Sequence, residues 1–546
     1  MVQFTAMLSC AVVGCGPAGM AAALALRRAG LLVTCFEVAP EAGGIWACDP
    51  NTTHTSRGIL SPIHPSLRCV VPKDLMSFSD MRFDMQTPTL PHFSAVKNYL
   101  SNYADSKGVN AITRFNTKVE SLRYDEKTRC WKLISVGIHS GDVFEWVFDR
   151  VVVATGQCNA PRYPAEVELL RTFEKDHDGT VSHGCFLTNS RQYSGKKVVV
   201  VGGGASAQET CQRLYHIGAN VTHCTREVPS EVVPSTTWVG GAPPAPASAS
   251  ALAERILSLW GTDSKRAEKF IRTLMATRLH DGVDVPKVGI LRRVEGRDLY
   301  FAAASKPKLS ISDHLDELER GGVRGTVPKV DESDDVGEVV TDVDAVFFAT
   351  GYQYRMPFLP DSMRSVLEPA AVRRLTAGGK HREIGSEEGA LAQRYTDDRG
   401  LLLGCIWKDV PTIAFVGLPT GMFPPFMMME AQSDFVAQVF AGRRRLSPEM
   451  MRSLNETLVG ENPVVGSLFN DSGLGLASMK YYDLLRSEAR LRTGVPVLRP
   501  PDAFTEALGR RKWWFASTWV VSLIARVRSL APLKRKKQHV LISNDI

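Results

Sequence analysis

The sequence predicts an α/β protein that contains two doubly wound, parallel-sheet units. Two segments have the pattern strand, glycine turn, helix, strand, and each places β-branched residues before the glycines and helix formers after them. Two further strand-like runs, at 150–156 and 345–351, end in Ala-Thr-Gly. Such alternation of strands and helices is typical of α/β sheets. The chain has 546 residues, which is enough for about three units of structure.

The composition is that of an ordinary globular protein. Hydrophobic residues make up 44% of the chain and charged residues 23%, which excludes disorder throughout and a collagen repeat. The 11 cysteines form no Cys-x-x-Cys pair and no Cys/His cluster at zinc spacing. We therefore predict a reducing compartment, with neither a metal site nor a redox dithiol. The N-terminus lacks a secretory pattern, so we expect a cytoplasmic protein.

The positive charge is concentrated near the C-terminus. The net charge is +7, but nine Lys and Arg residues and no acid lie in the segment 510–537, which leaves −2 for the rest. This distribution argues against nucleic-acid binding by the body of the protein. Aromatic residues stand beside these cations from Trp513 to Trp519. We expect either a helix that attaches to the cytosolic face of an intracellular membrane or a helix that packs on the body.

The first glycine loop has the spacing of a dinucleotide-binding turn. Gly14, Gly16 and Gly19 follow a strand and open a helix, which suits a tight turn, close approach to a pyrophosphate and close packing of the helix on the strand. Glu37 stands twenty-three residues after Gly14, at the end of the second strand. A carboxylate there accepts hydrogen bonds from a ribose and repels a 2′-phosphate. This site is predicted to take FAD or NAD; the alternative is a glycine turn without a ligand.

The second glycine loop ends differently. Gly202, Gly204 and Ala207 repeat the pattern, with alanine as the allowed variant of the third glycine. Twenty-three residues after Gly202 the chain has Thr225, followed by Arg226. A hydroxyl and a guanidinium suit the extra phosphate of NADPH; the alternative for Arg226 is a solvated surface charge. Together the two loops predict a flavoprotein that NADPH reduces.

The order of the motifs resembles that of the flavin-containing monooxygenases, which are class B flavoprotein monooxygenases. The resemblance covers roughly residues 8–230 and 342–445. The matching features are both glycine loops, Glu37, the Gly44–Trp46 segment, residues 72–80, Thr155-Gly156, residues 348–352 and residues 419–433. It implies two Rossmann-like domains, with the NADPH domain inserted into the FAD domain. It also implies an oxidoreductase that uses FAD, NADPH and O2.

The resemblance further implies how such an enzyme works and which residues hold its cofactors. A C4a-hydroperoxyflavin oxygenates a soft nitrogen or sulfur nucleophile, so the cofactor carries the difficult chemistry. The residues expected beside the cofactors are Gly44, Trp46, Thr155, Gly156, Thr350, Gly351 and Gln432. The alternative for Trp46 is to fill space, and the alternative for Gln432 is to cap a backbone group or face water.

One departure from the family pattern lies where the family carries a Thr-Asn pair. Aligned on the Pro72-Lys73 segment, these positions are Cys69 and Val70. The family's Asn amide faces the flavin and the nicotinamide, and valine cannot donate that hydrogen bond. Val70 is therefore a candidate catalytic position, and an NADPH oxidase that releases hydrogen peroxide is an alternative function.

A second departure concerns the identifying motif Phe-x-Gly-x-x-x-His-x-x-x-Tyr. Here Phe173 stands six residues before Gly179, His183 keeps its distance from Gly179, and Tyr193 follows ten residues later. His183 is the other candidate catalytic residue; it is alternatively a link between domains or a satisfied interior imidazole. Tyr193 in place of tryptophan favours nitrogen or sulfur oxygenation over the Baeyer–Villiger alternative.

The motifs divide the chain into four segments. We expect the FAD domain at 1–165, the NADPH domain at 166–340 with a polar, partly helical insertion at about 241–340, the second part of the FAD domain at 341–475, and a helical, basic tail at 476–546. The expected partners are a small nucleophilic substrate and O2. A regulatory protein that keeps the fold without turnover is a further alternative.

Overall fold

The computed structural model describes residues 7–47, 61–69, 73–88, 90–158, 160–225, 285–302, 337–367, 401–418, 425–445 and 476–490. All of them lie in one compact unit, Met1–Gly494. The basic segment 510–537 belongs to a second unit, Val495–Ile546, and lies outside the described residues.

The secondary structure alternates strands and helices from the first described residues onward. The strands are β1 (Ser9–Val13), β2 (Leu32–Phe36), β3 (Thr113–Arg114), β4 (Thr117–Asp125), β5 (Cys130–Gly137), β6 (Val143–Phe148), β7 (Arg150–Val153), β8 (Ala160–Pro161), β9 (Thr180–His183), β10 (Lys197–Val201), β11 (Asn220–Cys224), β12 (Lys287–Val288), β13 (Leu291–Glu295), β14 (Asp298–Phe301), β15 (Glu338–Val340), β16 (Ala345–Phe348), β17 (Tyr352–Gln353), β18 (Leu401–Leu402), β19 (Ile406–Trp407) and β20 (Ile413–Phe415). The α-helices are α1 (Pro17–Arg28), α2 (Lys73–Met76), α3 (Phe93–Ser106), α4 (Arg171–His177), α5 (Ala205–His216), α6 (Asp361–Leu367), α7 (Pro425–Phe440) and α8 (Leu476–Glu488).

The first glycine loop belongs to a seven-stranded sheet with the order β18-β19-β20-β7-β1-β2-β3. Its central strands run parallel, with β1 between β2 and β7. The strand β20 comes from the far end of the chain and pairs with β7 in parallel. Helix α1 is rich in alanine and leucine and packs against α7, which is buried on most sides.

The second glycine loop belongs to a parallel five-stranded sheet with the order β12-β11-β10-β16-β9. All of its strands lie between residues 180 and 348, whereas the first sheet takes strands from both sides of that range. The predicted α/β fold, with one Rossmann-like domain inserted into the other, is therefore confirmed.

The pairing of the strands shows that the predicted domain boundary at 341 is wrong. Strand β16 (Ala345–Phe348) pairs with β10 and β9, so it completes the second sheet instead of returning to the first. The physical reason is that its four residues are all buried, and only the centre of a parallel sheet covers both faces of such a strand. The second domain therefore extends at least to Phe348.

The predicted polar insertion at about 241–340 also contains regular structure. Its described residues form β12 at the edge of the second sheet, and β13, β14 and β15, which make a three-stranded antiparallel sheet. These residues are strands because Leu299 and Phe301 alternate with less buried neighbours and bury one face; the partly helical character of the insertion stays a prediction. The rest of the insertion lies outside the described residues.

An antiparallel sheet of β4, β5 and β6 packs against the first parallel sheet. Trp131 on β5 is fully buried in the core between these sheets, beside Phe36 of β2 and Phe415 of β20. Its indole N–H donates to the Thr412 hydroxyl at 3.0 Å, which satisfies the one polar atom of the ring. None of the helices in the described ranges is long and apolar enough to cross a bilayer.

Candidate functional site

The first glycine loop lies tightly against the strand end that carries Ala-Thr-Gly. Gly14 has φ +99°, and a Cβ atom there would lie 2.5 Å from the carbonyl oxygen of Ala154. A Cβ atom at Gly19 would overlap the carbonyl oxygen of Gly14. Both positions therefore require glycine, for the backbone conformation at the first and for helix-to-strand packing at the second.

The predicted Gly44–Trp46 segment forms a 3₁₀ turn against this loop. Gly44 has φ +60°, and a Cβ atom there would lie 2.9 Å from the Cα atom of Gly16. The amide of Gly43 donates to the carbonyl of Cys15 at 2.9 Å. Gly16 precedes α1 and leaves the first helical N–H groups without a side-chain cap, as a pyrophosphate site requires. Trp46 is half-buried beside this turn, so its place in a flavin pocket stays a prediction.

Glu37 is a fixed, buried carboxylate at the end of β2. It is 5% exposed, and its two oxygens accept from the amides of Cys15 at 2.6 Å and Ala39 at 2.8 Å. Burial raises the pKa of Glu37, while these backbone hydrogen bonds oppose the rise. Each oxygen keeps a lone pair for a ribose hydroxyl. The sequence-based role of Glu37 therefore fits the geometry.

The Ala-Thr-Gly segment after β7 and the residue that follows it carry buried polar atoms that lack a hydrogen-bond partner in the protein. The Thr155 hydroxyl oxygen and the Gln157 side-chain carbonyl oxygen are buried and have no hydrogen-bond partner. A Cβ atom on Gly156, which has φ +76°, would meet nothing within 4 Å. Unsatisfied buried polar atoms are rare in native proteins and indicate a missing partner. The phosphates and hydroxyls of FAD supply such partners, so these residues fit the cofactor.

The second glycine loop repeats the contact of the first. Gly202 has φ +147°, and a Cβ atom there would overlap the carbonyl oxygen of Ala349 in the second Ala-Thr-Gly segment. Ala207 is fully buried where the first loop has its third glycine. A Cβ atom at Gly204, which precedes α5, would meet nothing within 4 Å, and α5 has no side-chain N-cap. This loop therefore offers the open amides that a second pyrophosphate needs.

The end of β11 carries no acid. Thr225 is buried there, its amide donates to the carbonyl of Val288 at 2.9 Å, and its hydroxyl faces Gly203. Beneath the loop, His223 donates from Nε2 to the carbonyl of Gly202 at 2.6 Å. Arg226 lies outside the described residues, so its contact with the 2′-phosphate stays a prediction.

The threonine hydroxyl of the second Ala-Thr-Gly segment is hydrogen-bonded to the protein, whereas that of the first segment has no protein partner. The Thr350 hydroxyl donates to the carbonyl of Arg162, and the amide of Arg162 donates to the carbonyl of Gly351 at 2.9 Å. Gly351 has φ +80°, which explains the glycine. The predicted cofactor role of Thr350 is therefore not supported by its side chain, because the hydroxyl proton is committed to the backbone.

The structure does not support a catalytic role for His183. The ring is 2% exposed; Nδ1 accepts from the amide of Cys185 at 3.3 Å, so Nε2 carries the proton and donates to the carbonyl of Gly351 at 3.1 Å. Burial lowers the pKa of His183 to about 4, so the ring is neutral at pH 7. Tyr163 and Tyr352 pack edge-on against it. His183 is thus a satisfied interior imidazole that holds the Gly351 turn.

The stretched motif around His183 is explained by packing within the second domain. The Phe173 ring occupies the space where Gly179 would carry a Cβ atom, so the two residues meet despite their longer separation. The extra residues complete α4, and Asp178 ends it with φ +52°. Tyr193 packs edge-on against Phe347 at 5.1 Å.

Gln432 is not positioned to contact a cofactor. Its side chain is fully buried; the amide oxygen accepts from the Gly417 amide at 3.0 Å, and the amide nitrogen donates to the Tyr481 hydroxyl at 2.9 Å. The prediction of flavin contact is wrong for this reason, and the alternative that Gln432 caps a backbone group is correct. Gly417 in turn lies beside the first turn of α1, since a Cβ atom added there would lie 3.0 Å from the Cβ atom of Ala18.

The sequence motifs assign no role to Glu430, although the residue lies in a matching segment. Its carboxylate is buried and accepts from the amide of Ser79 at 2.9 Å and from the Ser79 hydroxyl at 3.0 Å. Burial raises the pKa of Glu430 to about 7. The same contact area contains the stacked rings of Phe78 and Phe426, at 5.1 Å. A charged residue within the apolar run 425–431 was the available signal.

Fold and site together define a class: a flavoprotein with two dinucleotide sites. A family model described as flavin-binding monooxygenase-like matches residues 8–244. Flavin-containing monooxygenase 5 of Rattus norvegicus is 25% identical over 460 residues, which cover 82% of this chain and 76% of that protein. Dimethylaniline monooxygenase [N-oxide-forming] 4 of the same organism is 27% identical over 367 residues, which cover 65% of this chain and 60% of that protein.

Solved structures show the same fold. S-allyl-L-cysteine S-oxygenase from Allium sativum aligns with a TM-score of 0.58 at 19% identity and covers 96% of this chain and 94% of its own. Cyclohexanone monooxygenase bound to ε-caprolactone aligns with a TM-score of 0.54 at 17% identity, with coverages of 89% and 98%. The chain is similar to flavin-containing monooxygenases over most of its length, and these comparisons support an NADPH-dependent monooxygenase that uses FAD.

Replacing Thr155 tests the fit of FAD to the buried hydroxyl. Thr155→Val keeps the shape but removes the group, so FAD affinity should fall by about 1–2 kcal/mol, or roughly 5- to 30-fold. The apoprotein should keep its stability, since no protein hydrogen bond is lost. Thr350→Val is the matched control: it should lower stability and leave FAD affinity unchanged. Isothermal titration of both apoproteins with FAD decides; equal affinities would contradict the assignment.

The raised pKa of Glu430 predicts a pH-dependent stability. The folded protein keeps a proton that the unfolded chain releases near its usual value of 4.5, so this contribution is full below pH 4.5 and is lost as the pH rises through about 7. Glu430→Gln, which still accepts from the Ser79 amide, cannot show this loss. Denaturant unfolding from pH 4.5 to 8 should therefore show the wild type falling relative to the variant, by up to about 3 kcal/mol. If the free energies of unfolding of the two proteins change in parallel with pH, the pKa of Glu430 is not raised.

Proposed function

We propose that this monooxygenase transfers one atom of O2 to soft nitrogen or sulfur nucleophiles. The observation that carries the proposal is the commitment of two titratable side chains, Glu37 and His183, to the backbone. Glu37 and His183 each have both polar atoms of the side chain bonded to main-chain groups. Neither side chain is free to deprotonate a substrate. A substrate that is already a nucleophile at neutral pH needs no such help.

The chain's own residues bind and orient the two nucleotides. The bound FAD would supply the redox chemistry, which is the ability to accept a hydride from NADPH and to activate O2. The amides that follow Gly16 and Gly204 would hold the two pyrophosphates, and Glu37 would hold a ribose of FAD. Burial raises the pKa of Cys69 to about 12, so this thiol stays protonated beside the predicted flavin-facing position at 70.

Two observations support nitrogen or sulfur as the site of oxygenation. A relative carries the description N-oxide-forming, which is a property of that protein. In this chain Tyr193, which packs on Phe347, stands where tryptophan would favour the Baeyer–Villiger reaction. The fold does not choose between these reactions, because structures of an S-oxygenase and of cyclohexanone monooxygenase both share it.

A specific residue favours a second candidate function. Val70 stands where the family places an asparagine amide, and a valine side chain donates no hydrogen bond. Without that donor, reducing equivalents from NADPH would be lost to hydrogen peroxide. The second candidate is therefore an NADPH oxidase. Val70 lies outside the described residues, so this candidate rests on the sequence alone.

Coupling measurements separate the two candidates. With a panel of tertiary amines and thioethers, the proposed function predicts at least about half an oxygenated product per NADPH consumed for the best substrate, since water exclusion limits leakage. Val70→Asn should raise this ratio further and lower peroxide release. Mass spectrometry of products and a peroxide assay provide the readout. A ratio near zero across the panel for the wild type, which Val70→Asn raises, would favour the oxidase.

A further inference from the structure

A buried polar cluster joins the two nucleotide-binding domains. His64 comes from the loop 61–69 of the first domain, and Glu209 comes from α5 of the second. The His64 Nε2 atom and a Glu209 carboxylate oxygen are in direct hydrogen-bond contact, with side-chain exposures of 6% and 19%. None of the side chains in this cluster was assigned a role by the sequence motifs. Its members are polar and buried, which is costly unless they are paired.

Further hydrogen bonds hold His64 and Arg213 in the cluster. The Glu209 carboxylate can only accept, so Nε2 of His64 carries the proton, and Nδ1 of the neutral ring accepts from the Ser66 hydroxyl at 3.1 Å. Arg213 lies one turn after Glu209 on α5, is 8% exposed, and donates from Nη2 to the carbonyl of Leu187 at 2.8 Å. Burial, together with the charges of Arg213 and nearby His92, lowers the pKa of His64, while Glu209 raises it. The imidazole is therefore neutral near pH 7.

On the first domain, the His64 loop is anchored to the flavin side of the molecule. The Ser61 hydroxyl donates to the carbonyl of Ile45 at 2.8 Å, and Ile45 lies in the turn that packs on the first glycine loop. His92 donates from Nε2 to the carbonyl of Pro65 at 2.9 Å, and the amide of Phe93 donates to Leu67. The loop thus cannot move without disturbing the FAD-binding turn.

On the second domain, Glu209 is rigidly tied to the NADPH-binding loop. It stands in the second turn of α5, about 6 Å along the helix axis from the residue after Gly204. A short path therefore runs from the Gly44–Trp46 turn through the Ser61 hydrogen bond, the backbone from residue 61 to 64 and the His64–Glu209 contact to α5 and the second glycine loop. No motif in the sequence indicates this connection, because its two ends are 145 residues apart.

We infer that His64, Glu209 and Arg213 position the NADPH domain against the FAD domain and so set the distance for hydride transfer. The three are positioning residues, since they act through the glycine loops and contact neither reacting atom. Hydride transfer needs its donor and acceptor atoms about 3–3.5 Å apart, and a shift of about 1 Å costs roughly 100-fold in rate. This inference rests on the reduction of FAD by NADPH in the proposed function.

The test measures flavin reduction by NADPH in anaerobic stopped-flow experiments on the full-length holoenzyme. We compare wild type, His64→Ala, Glu209→Gln and the double variant. Each single variant should reduce its flavin about 10- to 100-fold more slowly at saturating NADPH, with FAD content and NADPH affinity within about threefold of wild type. The double variant should be no slower than the slower single variant, because both break one contact.

Two further variants make the comparison specific. His64→Gln retains an amide N–H that can donate to Glu209, so it should recover most of the reduction rate. The exposed pair Lys132 and Asp125, which are 2.8 Å apart on the antiparallel sheet, is the matched control. Replacing both by alanine should leave the reduction rate unchanged.

The outcomes separate the two proposals. Unchanged reduction rates, additive losses in the double variant, or slow reduction explained by lost FAD would each overturn the positioning role. If NADPH does not reduce the wild-type flavin, the proposed function itself fails. If reduction is fast and shows the expected coupling but no amine or thioether is oxygenated, the positioning role holds and only the substrate class is wrong.

Discussion

One backbone contact underlies both nucleotide sites: the first glycine of each loop lies against the alanine carbonyl of an Ala-Thr-Gly strand end. Gly14 meets Ala154 in the first domain, and Gly202 meets Ala349 in the second. Any side chain at either glycine would push the loop away from the sheet. The contact brings the helix N-terminus to the carboxyl edge of the parallel strands, which is where such sheets bind ligands.

The two sites use this shared geometry for different coenzymes. The first ends its second strand with Glu37, whose oxygens are fixed by two amides, and the second ends with Thr225, which brings no negative charge. A carboxylate repels a 2′-phosphate, and its absence admits one. The neighbouring Ala-Thr-Gly segments differ too, because the Thr155 hydroxyl has no protein partner while the Thr350 hydroxyl binds the backbone.

The sequence predicted what depends on local pattern and missed what depends on distant partners. Both glycine loops, their strands and Glu37 were predictable because turn, helix and strand-end residues lie within thirty positions of one another. Gln432 was misassigned because its partner Tyr481 lies on a helix that no motif marks. His183 was an open question because its partner Gly351 is 168 residues away, and the contact of His64 with α5 carried no sequence signal. Strand β16 was assigned to the wrong domain because the hydrophobic pattern identifies a strand but does not show with which sheet the strand pairs.

The choice of coenzyme at each site depends most on the difference in charge between Glu37 at the end of β2 and Thr225 at the end of β11. The most direct test compares NADPH and NADH as reductants of the purified, FAD-containing protein under anaerobic conditions. We expect NADPH to reduce the flavin at least about tenfold more efficiently, which corresponds to about 1.4 kcal/mol of recognition of the 2′-phosphate. Equal efficiencies, a preference for NADH, or a protein purified without flavin would contradict the assignment of the two sites.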